Sequence, residues 1–586
     1  QALAELPPGR VAAVILGRPY NTGDPELNLS LVEKLISLGV VPIPLDYLPL
    51  DDHGVFDSYP MMYWPNGRRI VQGARIVARD ERLAGIFMGN FRCGPDSFLL
   101  HYVREEMAGK PFLQLEVDEH SADAGMITRC EAFLESLRGY NKTRHSETAS
   151  EGGDGRGGSR RRVLYVPYMS DGAYAVAAAA RSCGVESEVL PKQNARDLEL
   201  GRQHTSSREC FPLICTTGSF LRKLMEPGID PSTASFFMPD HNGPCRFGQY
   251  RKLQRIIFDR LGWTDVEIVS PSNSNAYVEL SGGHPLTFRL RAWRGMVAVD
   301  MLRRMLSETR PYEKRSGDAE EVYRDGLERL VRTIELGGRN YRRVLRDAVE
   351  GFRSVRRADA SRKPIVAIVG EIFMRDNPFC NGYVEQRLEA LGVETITSPV
   401  NEWLAYSAYR FARDSRWERN PLGLLRAKLL EAVQNVTAAP LRASGLGFLD
   451  ERLDIHLHEM LESCEPYVHR HYDGDPPLAL GTAVALARRG ISGVANILPF
   501  TCQPGTLITA VASGLRQDHG NLPWVDIAYD GQDDAGDSQR PAQLHVGNLR
   551  KHVGQGDHPP LHQHPSGVVN VHLGVAPQGL HRHVDV

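Results

Sequence analysis

Two stretches of this 586-residue chain, VAAVILG at 11–17 and PIVAIVG at 364–370, are unbroken apolar runs that end in glycine. Each leads through a loop into an amphipathic stretch and a second glycine, which lies 22 positions on in both cases: Gly17 to Gly39, and Gly370 to Gly392. A second strand-like segment follows at once, VVPIPL in the first and VETITSP in the second. A strand without polar alternation must be covered on both faces, and its cover here has helical spacing; together these require a parallel sheet between layers of helices. In the first stretch Leu27, Leu31, Leu35 and Leu38 share a helical face. Asp24 can cap that helix, Pro25 suits its first position and Gly39 its stop. In the second, Val384, Leu388 and Leu391 mark the helix. A third opening, RVLYVPY at 162–168, leads through a helical stretch to Gly184 and VESEVLP.

The expected fold is therefore α/β, with three doubly wound, Rossmann- or flavodoxin-like parallel-sheet domains at 1–140, 163–285 and 361–532. Residues 286–360 carry Arg, Leu and Glu at helical spacing and read as a helical connector. Residues 141–162, NKTRHSETASEGGDGRGGSRRR, are polar and Gly-rich, cannot bury a core, and read as a flexible linker. The last 54 residues, 533–586, hold eight of the 20 histidines and show neither helical nor strand periodicity. A His-rich tract can bind metal; a disordered tail, or one created by a reading-frame slip after Gln532, is the plainer reading.

Charge and cysteine usage narrow the classes of function. A net charge of −3 with scattered basic residues gives no footprint for nucleic acid, and no run of about 18 apolar residues reads as a membrane span. The opening QALAELPPGR has neither an initiator Met nor a signal pattern, and reads as the start of a fragment. Nine cysteines, an odd number thinly spread over 586 residues, do not make a disulfide framework and point to a reducing cytoplasm.

Ligands of open α/β sheets collect beyond the carboxyl ends of the strands, and three cysteines occupy Gly/Pro loops of that kind. They are Cys93 in GIFMGNFRCGP, Cys245 in SFFMPDHNGPC and Cys502 in ANILPFTCQPG. Cys210 in SSRECFPLI precedes a helix start, where free N–H groups favour a thiolate. Thiolates from separate loops suit a soft metal centre or an iron–sulfur cluster, but spacings of more than 30 residues are equally those of structural cysteines. Cys130, Cys183 and Cys464 fall at helical positions and read as small buried hydrophobes. Cys215, about 1.4 turns from Cys210, either packs or approaches a cluster, and Cys380 lies in the Gly370 loop and stays open. The Gly17–Asn21 turn could hold a phosphate; Asp118, Glu119 and His120 offer acid–base groups or merely cap a loop edge.

The motifs GRPYN, NFRCGPDSF, LQLEVDEHSADAG, ECFPL, GPCRFGQY and PFTCQPG, in order between residues 10 and 532, together resemble the benzoyl-CoA reductase/2-hydroxyacyl-CoA dehydratase superfamily. The likeness is nearest to the dehydratase-like part of large fused acyl-CoA dehydratase activase proteins. The resemblance implies a cytoplasmic iron–sulfur component, carrying a [4Fe–4S] or double-cubane cluster, of an ATP-driven low-potential system in anaerobic metabolism. That system eliminates water from 2-hydroxyacyl-CoA or acts on a related small molecule. It implies Cys210, Cys245 and Cys502 as metal ligands, with Cys93 as a further cofactor-binding position; Arg92 and Arg246, beside the thiols, could offset the charge of a reduced cluster or be plain surface arginines. It implies, too, an ATP-hydrolysing activator as partner, an acyl-CoA substrate and a homo- or hetero-oligomer. No G-x-x-x-x-G-K-[ST] loop occurs in the chain, so ATP hydrolysis is not assigned to it. The alternative to an enzyme component is a non-catalytic electron-transfer or structural module.

Overall fold

The computed structural model describes Leu6 and residues 11–50, 54–121, 123–143, 162–270, 278–358 and 360–531. Three four-stranded parallel sheets organise them, and all three have the same strand order. The first contains β1 (Ala12–Gly17), β2 (Val41–Pro44), β3 (Leu83–Asn90) and β4 (Phe112–Val117), arranged β2-β1-β3-β4. The second contains β5 (Val163–Val166), β6 (Ser187–Val189), β7 (Ala234–Phe237) and β8 (Glu267–Val269), arranged β6-β5-β7-β8. The third contains β9 (Ile365–Gly370), β10 (Glu394–Thr397), β11 (Gly493–Pro499) and β12 (Trp524–Tyr529), arranged β10-β9-β11-β12. The α/β class and the three sheets expected from the apolar runs are thus present. β1, β9 and β11 are buried along their whole length, as runs without polar alternation must be. The stretch read as a connector forms three helices, Pro285–Ser307, Asp318–Glu335 and Tyr341–Val355. Most of the 141–162 linker and all of the 533–586 tail lie outside the described residues.

By density of contacts the chain falls into two compact units: Gln1–Arg162 with Arg202–Leu213 and Pro227–Ser272, and Val163–Gly201 with Ile214–Glu226 and everything from Asn273 on. The core of the first unit joins Ala13 and Ile15 of β1, Ile86 and Met88 of β3, Leu31 and Leu35, and the Cys130–Phe133–Leu137 face of a helix. The core of the second joins Ala367 and Val369 of β9, Val494 of β11, Leu480, Ala483 and Val484 of the helix Asp475–Arg488, and Ile508 and Leu515.

The helix expected from Pro25 begins later. Residues Pro19–Thr22 form one short helical turn, and the main helix is Leu31–Ser37. Asp24 caps only a turn, its Oδ1 accepting from Glu26 N and Leu27 N. Ser30 then adopts a left-handed backbone, which separates Leu27 from the helix and leaves it exposed. Gly39 stops the helix at φ +74°, the left-handed cap anticipated for it.

Candidate functional site

In a sheet of order β2-β1-β3-β4 the connections leave β1 and β3 in opposite directions, so a crevice opens between their carboxyl ends. Arg18 follows β1 directly, and Cys93 lies three residues beyond β3. Arg18 Nη2 donates to Asp96 Oδ1 at 2.6 Å and to Cys93 Sγ at 3.0 Å. Asn21 Nδ2 donates to Asn90 Oδ1 and ties the two loops together. Glycine is needed at 89, where a Cβ would stand 2.8 Å from Asp96 Oδ2. Burial raises the Asp96 carboxyl above its usual range although Arg18 pulls it down. Burial and the charge of Asp96 push the Cys93 thiol up, against the same guanidinium. The second oxygen of Asp96, Oδ2, is buried with no partner.

Cys93 is the N-cap of the helix Gly94–Glu106, with Pro95 in its first turn. That helix organises the other two cysteine loops of the first unit. His101 Nε2 lies 2.6 Å from Glu209 Oε1, and both side chains are buried. Burial alone would raise the Glu209 carboxyl, but the bonds from His101 and Ser206 outweigh it and hold it below the usual range. Glu209 adjoins Cys210, which is buried directly before the helix Phe211–Leu224. One turn of helix brings the third loop in: Tyr102 OH donates to Gln249 Oε1 at 3.0 Å, and the rings of Phe98 and Tyr250 stack at 6.2 Å. Cys245 is the N-cap of the short 3₁₀ segment Arg246–Gln249, and Trp64 Nε1 donates to Pro244 O at 3.2 Å beside it. Arg246 is buried, and a Cβ on Gly94 would lie 3.0 Å from its guanidinium carbon. The loops of Cys93, Cys210 and Cys245 are therefore all fastened to one helix. Cys502 belongs to the second unit.

The Cys502 loop repeats the F-x-C-x-P pattern of the Cys93 loop. The sequences are Phe91-Arg92-Cys93-Gly94-Pro95 and Phe500-Thr501-Cys502-Gln503-Pro504. In both, the residue before cysteine has a left-handed backbone, Arg92 at φ +52° and Thr501 at φ +60°. In both, the cysteine N–H bonds a carbonyl three residues back, Asn90 or Pro499, and the cysteine caps a long helix. Two non-glycine residues held left-handed, each at a cost of about 1–2 kcal/mol, mark a geometry that is maintained rather than relaxed. The loops after β1 and β9 match as well. Asn28 Oδ1 accepts from Leu31 N as Asn381 Oδ1 accepts from Val384 N, and Asn28 Nδ2 bonds Thr22 O as Asn381 Nδ2 bonds Arg375 O. The charge at the residue after the opening glycine differs: where the first unit has Arg18, the second has Glu371.

Glu371 belongs to a buried acidic cluster at the carboxyl end of β9. Burial raises it to about 7; burial and the charge of Glu371 raise Asp475 to about 8, and burial raises Asp376 to about 6. Arg375 is the counter-cation, with Nη2 2.6 Å from Glu402 Oε1. Close by, Cys380 Sγ and Cys215 Sγ are 3.5 Å apart and sealed from solvent, with the Cys380 thiol pushed well up by burial and by Cys215. Also in this unit, a cavity of about 80 Å³ is lined by Asp300, Arg303, Asp376, Ser398 and Thr482 among others.

The remaining sequence-derived sites fall as follows. Cys130 and Cys464 are buried in helices, as read, whereas Cys183 is half-buried in the turn after the helix Gly172–Arg181 and not on its face. None of the nine cysteines is in a disulfide. Asp118, Glu119 and His120 form a capped, largely exposed loop edge, Asp118 Oδ1 accepting from His120 N and Ser121 Oγ. The guanidinium against Cys93 is that of Arg18, 75 positions away, while Arg92 lies over the Phe91 ring. Sequence reasoning missed Arg18 because nothing local links it to Cys93; it missed the paired loops although F-x-C-x-P stands twice in the sequence. Among the described residues no group of three or more His, Cys, Asp and Glu is placed to hold a metal ion, and no helix is long and apolar enough to cross a membrane. Comparison with protein-family models and with curated protein sequences finds no match for this chain.

Proposed function

We propose that the chain is the cytoplasmic iron–sulfur component of an ATP-driven, low-potential electron-transfer or dehydratase system. Its substrate would be a 2-hydroxyacyl-CoA or a related small molecule, and its ATP-hydrolysing activator a partner. The observation that carries this reading is the helix Gly94–Glu106, which begins at Cys93 and grips the neighbours of Cys210 and Cys245. What supports it is that three thiols sit in loops tied to that one helix, with the Arg18 guanidinium on Cys93 Sγ and that of Arg246 beside Gly94. Cys93, Cys210 and Cys245 would hold the cluster. When bound, it supplies a reducible, Lewis-acidic iron. Arg18 offsets the negative charge that the thiolates and an added electron bring, and Asp96 keeps the guanidinium aimed at the Cys93 sulfur. Glu209 and His101 fix the Cys210 loop out of water, which favours delivery of charge to substrate over loss to solvent.

The test is iron and acid-labile sulfide per chain, with an electron paramagnetic resonance spectrum, on protein prepared without oxygen. Four irons per cluster are expected, and Cys93→Ser, Cys210→Ser and Cys245→Ser should each abolish the signal while Cys464→Ser keeps it. Fewer than about three irons per chain in the unaltered protein overturns the proposal. Loss of iron in Cys502→Ser would add that residue to the ligand set. Turnover of a 2-hydroxyacyl-CoA with an activator present separates a dehydratase from a carrier that is only reduced and reoxidised.

A further inference from the structure

The helix Pro421–Arg442 in the second unit is built inside out. The side it buries consists of Gly423, Ala427, Gln434, Ala438 and Leu441, and it is held there by Trp293 Nε1, which donates to Gln434 O at 3.1 Å, and by Gln434 Nε2 on Leu404 O. The side it turns to solvent carries the large apolar residues: Leu422, Leu425, Leu429, Val433 and Val436 are 55, 66, 64, 41 and 73 % exposed. Helices that merely close a domain have the opposite arrangement, because each leucine left in water forgoes roughly 1.5–3 kcal/mol of burial. Ala432 and Ala439 are exposed on the same side. Positions 422, 425, 429, 432, 436 and 439 then follow one another at steps of three, four, three, four and three, the seam spacing of a two-stranded coiled coil. It runs for about 26 Å along the helix axis.

The order of sizes along the seam selects the occupant. Leucine fills the three N-terminal positions, and Ala432, Val436 and Ala439 fill the three C-terminal ones. Two copies side by side in the same direction would set leucine on leucine at one end and alanine on alanine at the other, leaving a wedge. Two copies in opposite directions about a two-fold axis match Leu422 with Ala439, Leu425 with Val436 and Leu429 with Ala432, so that every layer has one large and one small member and nearly constant width. The flanks agree. Arg426 then faces Val433 of the second copy and Lys428 faces Asn435, with no like charges opposed, and the helix dipoles run antiparallel. We propose that Pro421–Arg442 is a self-association surface, pairing antiparallel with the same helix of a second copy of this chain.

A seam of this length covers less than the ~1,600 Å² of a standard interface, so the dimer should depend on concentration. Sedimentation velocity of the full chain from about 1 to 100 µM should show a shift from monomer to dimer in that range. Leu425→Glu and Leu429→Glu should hold it monomeric at every concentration, with unchanged circular dichroism and unfolding temperature because both sites are exposed. Orientation is read by mild oxidation of mixed Leu422→Cys and Ala439→Cys chains, with unaltered chain as the control. The mixture should cross-link, and Leu422→Cys alone should not. A monomer throughout, a dimer that survives both glutamate variants, or cross-linking of Leu422→Cys to itself would each overturn the proposal. So would a monomer in which a Leu425→Cys thiol is shielded from maleimide, since a segment of the same chain would then cover the face.

Discussion

Arg18 is the residue on which the first unit's crevice turns. It is held between the Asp96 carboxylate and the Cys93 sulfur, with both members of the ion pair nearly out of water. Arg18→Met leaves Asp96 buried and uncompensated, and should cost about 3–5 kcal/mol in urea denaturation. Adding Asp96→Asn should restore much of that loss, because the orphaned charge goes with it. A merely superficial ion pair would move the midpoint by less than about 1 kcal/mol, and the double variant would show no rescue. Glu209 supplies a second check at this scale. Glu209→Gln removes the carboxylate charge and turns one of the two oxygens that order Ser206, Arg208 and His101 into a donor, and should speed alkylation of the neighbouring Cys210 several-fold without moving that of Cys130. The partnerships of Arg18 with Cys93 and Asp96, and of His101 with Glu209, could not be read from the sequence, since those residues stand 75 to 108 positions apart and each is locally an ordinary polar residue.

At the level of the element, the loop after β1 and the loop after β9 share one asparagine-centred bond pattern, and the glycine that opens the second is fixed by backbone. A Cβ at Gly370 would lie 2.1 Å from Ile497 O, at a φ of +110°. Gly370→Ala should therefore cost roughly 3 kcal/mol or more in the unfolding of the second unit, whereas Gly392→Ala, at φ +90° with open space around it, should cost about 1–2 kcal/mol. Equal effects at the two positions would refute this ranking. The strands, the closing glycines and the equal spacing were legible because they rest on hydrophobic periodicity and on backbone freedom, both local properties. The late helix start was not legible. It depends on Asn28 reaching back to Thr22 O and forward to Leu31 N, a bond pattern with no signature in apolar spacing. The cysteine positions at strand ends were legible for the same reason as the strands, but which loops share a helix was not, because that is decided by the long-range grip of His101 and Tyr102.

For the whole molecule, the buried acids of the second unit set how stability responds to pH. Glu371 rises from 4.5 to about 7 and Asp475 from 3.8 to about 8, mainly by burial, in a nest with Arg375, Asp376 and Glu402. Between those limits the folded state binds more protons than the unfolded one, so their contribution is complete below about pH 4 and is lost as pH rises through about 8. The urea midpoint of the second unit should fall between about pH 5 and pH 8, and Glu371→Gln with Asp475→Asn should flatten that slope. A midpoint that climbs over the same interval would refute the assignment. Acids held low, such as Glu385 and Asp450, act in the opposite sense at the acid end. The twin loops also bear on history. If the β1 and β9 arms descend from one ancestral segment, the site where one now carries a guanidinium and the other a carboxyl cannot have kept its original sign in both. At least one arm changed polarity after the copying, and the two pockets parted company electrically while the asparagine that pins each loop kept its bonds.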